Sequence, residues 1–238
     1  MEHGHTVEEV SARLGAPAKN DYLKDCVYGG IDGAVTTFAI VAGVQGAGFS
    51  QTVIIVLGIA NVLADGFSMA ASNYSATKAE LDDIERIRAI EQRHIREDPQ
   101  GEREEIRQIL RMKGLHGETL EQAVADISSD EQTWIDLMLV DEYGKPPVDP
   151  KPMNSAWATF LSFMLCGLVP MFPFLLGLSE PFLISIVMTA ITFFTIGLLK
   201  SSWSLLPWWR SGLETLAIGS TAAIIAYGAG HIVSLTTG

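Results

Sequence analysis

Charged residues are scarce in this chain, and most of those present are acidic. Only 18% of the 238 residues are charged, whereas ordinary soluble domains contain roughly 25%. The 16 basic and 28 acidic residues give a net charge of −12. A nucleic-acid-binding protein needs a basic surface to neutralise phosphates, so this composition excludes nucleic acid as a partner.

Cysteine is almost absent as well. The two cysteines, Cys26 and Cys166, cannot form a disulfide framework and do not have the spacing of a metal-binding motif. Both lie in apolar stretches, which is typical of small buried side chains. Intrinsic disorder is excluded for the opposite reason, because 48% of the residues are hydrophobic.

The charge that is present lies mainly in one segment. Residues 78–151 contain 11 of the 16 basic residues and 19 of the 28 acidic ones. Four long uncharged runs flank this segment, at 33–64, 152–179, 181–199 and 215–238. A bilayer core of about 30 Å requires about 20 apolar helical residues, which these runs supply. The sequence therefore predicts an all-α integral membrane protein that carries a charged insert.

Turn-forming residues between Gly46 and Gln51 divide the first run, which is too long for one span. We expect five transmembrane helices, at 27–44, 52–75, 156–178, 182–199 and 213–234, with the insert between spans two and three. The predicted domains are a polar N-terminal arm (1–24), spans one and two (25–78), a helical metal-binding domain (79–151) and spans three to five (152–238).

The positions of lysine and arginine predict the orientation in the membrane. If the insert is cytoplasmic, the N-terminal arm and the loop between spans four and five are cytoplasmic too. All 16 basic residues then lie on one side, as the positive-inside rule requires. We therefore expect a cytoplasmic N-terminus and a cytoplasmic insert.

The insert is predicted to be helical throughout. Span two should continue as a helix to about residue 95, because 76–95 contain no glycine or proline. Asp98 and Pro99 have the pattern of an N-cap followed by the first helical residue. Further helices are expected at 101–113, 120–127 and 130–143. Ser129 with Gln132 has the spacing of a capping box for the last of them.

Three pairs of side chains in the insert have the spacing of metal ligands. Residues three or four apart share one helix face, and bundles bind iron or manganese with such carboxylate and imidazole pairs. The same donors suit Zn²⁺. Acidic helices are also commonly solvated faces with ion pairs, and the spacing leaves both interpretations open. The pairs are Glu91 with His94, Glu102 with Glu105, and Met138 with Glu142.

Two acidic residues fall inside predicted spans, Asp32 in span one and Asp65 in span two. An intramembrane carboxylate costs about 3 kcal/mol on insertion scales, so each is a functional candidate. Asn61 and Met69 lie four residues on either side of Asp65 and share its helix face. Together these four residues could line a polar path for a divalent cation.

A structural role for the two acids is the alternative. Each carboxylate would then be hydrogen-bonded to Thr36, Thr37 or Asn73 and would only join helices. Spacing alone does not separate this arrangement from a cation path.

Three segments resemble the vacuolar iron transporter family: residues 32–38 (DGAVTTF), 64–69 (ADGFSM) and 167–170 (GLVP). The resemblance extends from residue 21 to the end and includes the order of two spans, an acidic insert and three spans. It implies a five-span homodimer in membrane lipid that exports Fe²⁺ from the cytosol in exchange for protons, and not an enzyme. It also implies the plasma membrane for a bacterial member and the vacuolar membrane for a eukaryotic one.

The resemblance assigns roles to individual residues. Asp32 and Met69 match the family's pore carboxylate and pore methionine. The family's metal-binding residues of the insert match Glu91, Glu102, Glu105, Met138 and Glu142.

Three positions depart from the family pattern. His94 stands where a glutamate is usual but keeps the capacity to bind metal. Leu139 replaces a second methionine and cannot be a ligand. Asn61 replaces a glutamate of span two, and Asp65 supplies an acid one turn later.

The leading interpretation is therefore a proton-coupled exporter of Fe²⁺ whose acidic insert collects metal for an Asp- and Met-lined pore. Mn²⁺ or Zn²⁺ could occupy the same sites, because their ligands overlap those of Fe²⁺. One alternative is a membrane-anchored metal-binding or ferroxidase module without transport. Another is a helix-bundle scaffold that binds no metal.

Overall fold

The computed structural model describes residues 4–14, 21–145, 151–203 and 205–237. Within these ranges all regular secondary structure is helical. Parts of the predicted N-terminal arm (1–3 and 15–20) and the end of the predicted insert (146–150) lie outside the described residues. The α-helices of the described chain are α1 (Val7–Leu14), α2 (Leu23–Gly46), α3 (Gln51–Glu97), α4 (Pro99–Met112), α5 (Gly117–Ser128), α6 (Glu131–Asp141), α7 (Pro152–Leu168), α8 (Phe172–Leu175), α9 (Pro181–Lys200) and α10 (Trp208–Thr237).

The chain divides into two compact units. The membrane unit comprises Asp21–Ala76 and Lys151–Gly238, and the insert unit comprises Met1–Asn20 and Thr77–Pro150. Helix α3 contributes to both, because the division falls between Ala76 and Thr77.

Five helical segments are long and apolar enough to cross a bilayer. Their mean hydropathies lie between 1.5 and 2.4. The prediction of an all-helical protein with five candidate membrane spans is confirmed for the described residues. The segments are Leu23–Gly46, Gln51–Glu97, Pro152–Leu175, Pro181–Trp203 and Trp208–Thr236.

Helix α3 continues far beyond the length that a membrane requires. Its 47 residues span about 70 Å at 1.5 Å per residue, more than twice the bilayer core of about 30 Å. The apolar pattern ends near residue 76, and the charged residues 77–97 belong to the insert unit. The predicted continuation of span two into the insert as one helix is confirmed.

Close packing of α2 on α7 depends on two glycines one turn apart. A Cβ on Gly33 would lie 3.0 Å from the Cα of Phe163, and one on Gly29 would lie 3.1 Å from the Cα of Thr159. Glycine removes this clash and lets the two backbones approach. The adjoining apolar core is formed by Phe38, Val41, Val44, Ile54, Val62, Met171 and Phe174.

The third span is interrupted by its prolines. Helix α7 ends at Leu168, a 3₁₀ turn covers Val169–Met171, and the short α8 follows. Pro170 and Pro173 have no N–H to donate and so break the helical ladder. The Ser185 hydroxyl of α9 donates to the Pro170 carbonyl at 2.6 Å, which satisfies a backbone acceptor at the break.

The insert unit has its own apolar core between α4, α5 and α6. Its first interhelical turn follows the predicted pattern, since the Gly101 N–H donates to the Asp98 carboxylate at 3.0 Å and Pro99 opens α4. The buried residues of this core are Ile106, Ile109, Leu110, Leu120, Val124, Trp134 and Met138.

The predicted capping box of the last insert helix is wrong. The N-cap of α6 is Asp130, whose carboxylate accepts from the Thr133 N–H at 2.9 Å. The Ser129 hydroxyl instead donates back to the Asp126 carbonyl at 2.7 Å. The charged acceptor directly before the helix therefore takes the cap, and the serine closes the end of α5.

Candidate metal sites

Three candidate ligands of the insert unit come together across the turn between α3 and α4. They are Glu91, His94 and Glu102. Each offers one ligand atom, and these three atoms lie within 4.8 Å of one another. His94 Nδ1 is 3.4 Å from Glu102 Oε1 and 3.9 Å from Glu91 Oε1. These separations match three donors at about 2.0–2.3 Å from one ion. The arrangement forms because Asp98 and Pro99 end one helix and start the next.

The two carboxylates of this cluster are buried, with side-chain exposures of 1% for Glu91 and 7% for Glu102. Each has one oxygen, Oε2, that is buried without a hydrogen-bond partner in the described structure. A buried unpaired charge is strongly unfavourable. Both oxygens therefore need a proton or a bound cation.

The other oxygen of Glu91 has a partner that the sequence did not indicate. The Tyr143 hydroxyl donates to Glu91 Oε1 at 2.9 Å. Loss of solvent and then this hydrogen bond to Glu91 raise the pKa of Tyr143, so the phenol stays protonated and acts as a donor. Tyr143 thereby fixes the orientation of the carboxylate.

Burial and the surrounding charges favour protonation of Glu102 and Glu142 in the absence of metal. Burial, followed by repulsion from Glu105, Glu91 and Glu142, raises the pKa of Glu102 to about 7. Loss of solvent and repulsion from Glu105 and Glu91 also raise the pKa of Glu142. Such concentration of negative charge at a partly closed site attracts divalent cations.

The remaining predicted insert residues are not members of this three-residue cluster. Glu105 and Glu142 are exposed but close enough to repel Glu102 electrostatically. Met138 is fully buried and packs in the apolar core with Ile106 and Trp134. Leu139, the position without ligand capacity, packs in a second apolar cluster with Ile87 and Ile135.

In the membrane unit, polar residues connect α2 and α3 along their common seam. Asn61 Nδ2 donates to Thr36 Oγ1 at 3.4 Å. Near the start of α2 and the middle of α3, Asn73 Nδ2 donates to Asp25 Oδ1 at 3.0 Å. Asn73 also bonds the Thr159 hydroxyl of α7 at 2.7 Å, so three helices meet at this amide.

Asp32 and Asp65 lie between these two hydrogen-bonded pairs. They are half-buried and within electrostatic range of each other. Met69 is half-buried one turn after Asp65.

The structural alternative for these acids, hydrogen bonding to Thr36, Thr37 or Asn73, is wrong. Thr36 donates to the backbone carbonyl of Asp32 at 2.8 Å, and Asn73 bonds Asp25. Thr37 Oγ1 is buried without a partner. Within the described ranges, neither the Asp32 nor the Asp65 carboxylate takes part in a hydrogen bond or an ion pair.

The family model of the VIT family matches residues 23–231. The chain belongs to the VIT family. It is 30% identical over 210 residues to vacuolar iron transporter 1 of Arabidopsis thaliana, covering 87% of this chain and 84% of the relative. It is 31% identical over 211 residues to vacuolar iron transporter 1 of Oryza sativa subsp. japonica, covering 87% and 84%. The vacuolar iron transporter of Toxoplasma gondii is 30% identical over 231 residues, covering 92% and 76%.

The predicted resemblance to the vacuolar iron transporter family is thus confirmed. The relatives are named as transporters and not as enzymes, in agreement with the prediction of a non-enzyme.

Two ion pairs of this VIT family protein lie close in sequence to Tyr143. Arg88 of α3 pairs with Asp136 of α6 at 3.0 Å, and Lys145 pairs with Asp83 of α3 at 2.7 Å. Sequence reasoning did not find these contacts, which join α6 and the segment after it to α3. The only sequence signal for Tyr143 was its place directly after Glu142.

Proposed function

We propose that this VIT family protein exports Fe²⁺ from the cytosol as a proton-coupled antiporter. Its five candidate membrane spans and its iron-transporter relatives support metal-ion transport. Mn²⁺ and Zn²⁺ are secondary candidates for the same sites, because carboxylate and imidazole ligands also suit these ions. Iron is here the transported substrate and not a resident cofactor.

In this proposal, residues 79–151 are a cytoplasmic domain that collects metal. The unpaired buried oxygens of Glu91 and Glu102 support this role, because a divalent cation would satisfy both at once. His94 would supply a third ligand, and the exposed acids Glu105 and Glu142 would attract the ion. Met138, whose side chain packs in the apolar core, would need to turn its sulfur toward the ion to bind it.

The observation that carries the transport proposal is a pair of carboxylates in the membrane unit that have no hydrogen-bond or ion-pair partner among the described residues. Asp32 and Asp65 lie between two hydrogen-bonded pairs on the seam of α2 and α3. Helices that serve only as anchors do not need two intramembrane acids. We propose that both acids hold the ion in transit, with Met69 and Asn61 lining the same path.

Proton coupling follows from the chemistry of the proposed ligands. A carboxylate must lose its proton before it binds a metal ion, so metal arrival releases protons and metal departure takes them up. At the insert, the raised pKa of Glu102, about 7, makes this exchange available near neutral pH. The same exchange along the path would link export of Fe²⁺ to entry of protons.

The proposed orientation places the N-terminus and the insert in the cytoplasm, as the positive-inside rule favours. A homodimer embedded in lipid is the proposed assembly. We propose the plasma membrane for a bacterial cell and the vacuolar membrane for a eukaryotic one, and the relatives' names support an intracellular membrane in their own cells.

The test is Fe²⁺ flux into proteoliposomes by the parent chain and by Asp32→Asn, which removes the charge while keeping the side-chain size. The matched control is Glu180→Gln, since Glu180 lies in the turn before α9 and outside the seam. We expect at least about a tenfold loss of flux for Asp32→Asn and no loss for Glu180→Gln. Undiminished flux in Asp32→Asn would contradict the pore, and absence of flux in the parent would favour a metal-binding module without transport.

A further inference from the structure

The metal cluster of the insert unit combines two kinds of donor. Glu91 and Glu102 offer carboxylate oxygens, and His94 offers an imidazole nitrogen. Nδ1 is the ring atom that faces both acids, at 3.4 and 3.9 Å. Within the described residues this ring makes no hydrogen bond.

The three side chains differ in what they can discriminate. The buried carboxylates attract any divalent cation, because their charge is the same toward all of them. A nitrogen donor does discriminate, since Mg²⁺ and Ca²⁺ require oxygen ligands. Among transition metals, affinity for nitrogen-containing sites rises from Mn²⁺ through Fe²⁺ and Co²⁺ to the later ions, with Zn²⁺ also favoured over Mn²⁺.

The position of His94 suits a selecting ligand. Its side chain is 43% exposed, whereas the two acids are almost completely buried. His94 is therefore the most solvent-accessible of the three candidate ligands.

We propose that His94 is the specificity-determining residue of this site and selects Fe²⁺, Co²⁺ and Zn²⁺ against Mn²⁺, Mg²⁺ and Ca²⁺. The inference rests on the proposed function to the extent that the insert binds metal. It goes further in assigning the choice among metals to one nitrogen atom. An ion bound by Glu91 and Glu102 alone would be selected only by charge.

The test compares Zn²⁺ and Mn²⁺ affinities of the full chain in detergent, at constant pH, for the parent and for His94→Glu. This variant replaces the nitrogen by a carboxylate oxygen and keeps three ligands. The matched control is His116→Glu, because His116 is an exposed residue at the start of α5 in the same unit. We expect the ratio of Zn²⁺ to Mn²⁺ affinity to fall roughly tenfold in His94→Glu and to stay unchanged in His116→Glu.

A second measurement uses a substitution that introduces no new carboxylate. The visible absorption of bound Co²⁺ reports its ligands, so the parent spectrum should change in His94→Gln and stay the same in His116→Gln.

An unchanged affinity ratio in His94→Glu, or an unchanged Co²⁺ spectrum in His94→Gln, would overturn the role of His94 while leaving metal collection by the insert intact. If the parent binds neither Zn²⁺ nor Mn²⁺, the proposed metal-collecting function fails together with this inference.

Discussion

Metal binding by the insert should weaken as the pH falls from 8 to 6, because Glu102 then holds a proton. Its pKa is raised to about 7 by burial and by the neighbouring acids Glu105, Glu91 and Glu142. A metal ion binds the ionised carboxylate, so the ion and the proton compete. With a pKa of about 7, the ionised fraction is about 0.9 at pH 8 and about 0.1 at pH 6. The apparent affinity should therefore fall about tenfold, or about 1.4 kcal/mol.

The assay is calorimetric titration of the full chain with Mn²⁺ at pH 6, 7 and 8, in two buffers with different heats of ionisation. The difference between the binding enthalpies measured in the two buffers gives the number of protons released per bound ion. At pH 6 we expect close to one proton from Glu102, and at pH 8 close to none. Glu142, whose pKa is also raised, would add to the release in the same direction.

Glu102→Gln is the matched variant, since glutamine keeps the size of the side chain and has no proton to exchange. It should bind Mn²⁺ more weakly than the parent at pH 8, and it should lose the part of the pH dependence that Glu102 contributes. An affinity of the parent that is the same at pH 6 and pH 8 would refute the reasoning. A pH dependence that persists unchanged in Glu102→Gln would refute it as well.

Two further predictions concern residues that position the site and the spans. Tyr143→Phe should weaken metal binding by about 10–100-fold without unfolding the chain, because Glu91 loses the donor that orients it. An affinity equal to that of the parent in the same titration would contradict this role. Gly33→Ala should destabilise the membrane unit by about 1–3 kcal/mol, seen as a lower Tm in detergent, because the added methyl group meets the Phe163 backbone. Gly228→Ala is its control, since a Cβ there has nothing within 4 Å, and equal Tm values for the two variants would contradict the packing argument.

The spans and the insert helices could be predicted because their signals are local. Apolar runs of bilayer length identify spans wherever they occur, and Asp98 with Pro99 marks a helix start by its own chemistry. The cap of α6 was predicted at Ser129, whereas the structure has it at Asp130. Both residues can accept the bond, and the end of the preceding helix decides which is free.

The core of the candidate metal cluster was also accessible from sequence. Glu91 and His94 share one helix face, and the break at Asp98 folds Glu102 back toward them. Tyr143 was not accessible, because its contact with Glu91 joins residues 52 positions apart. That contact depends on how α6 packs, which local spacing does not encode.

The polar seam of the membrane unit shows the same limit. Helical periodicity places Asn61, Asp65 and Met69 on one face of α3. It does not give the register of α3 against α2, which determines that Asn73 meets Asp25. The register follows from packing of both helices and from the turn between them. The hydrogen bond between Asn73 and Asp25 therefore could not be predicted from the sequence.

The central claim, export of Fe²⁺ against protons, is tested most directly by measuring both ions at once in proteoliposomes that contain the parent chain. With Fe²⁺ outside and a more acidic interior, we expect Fe²⁺ uptake accompanied by proton release, and faster uptake as the interior becomes more acidic. Fe²⁺ uptake that is independent of the pH gradient and moves no protons would contradict the account.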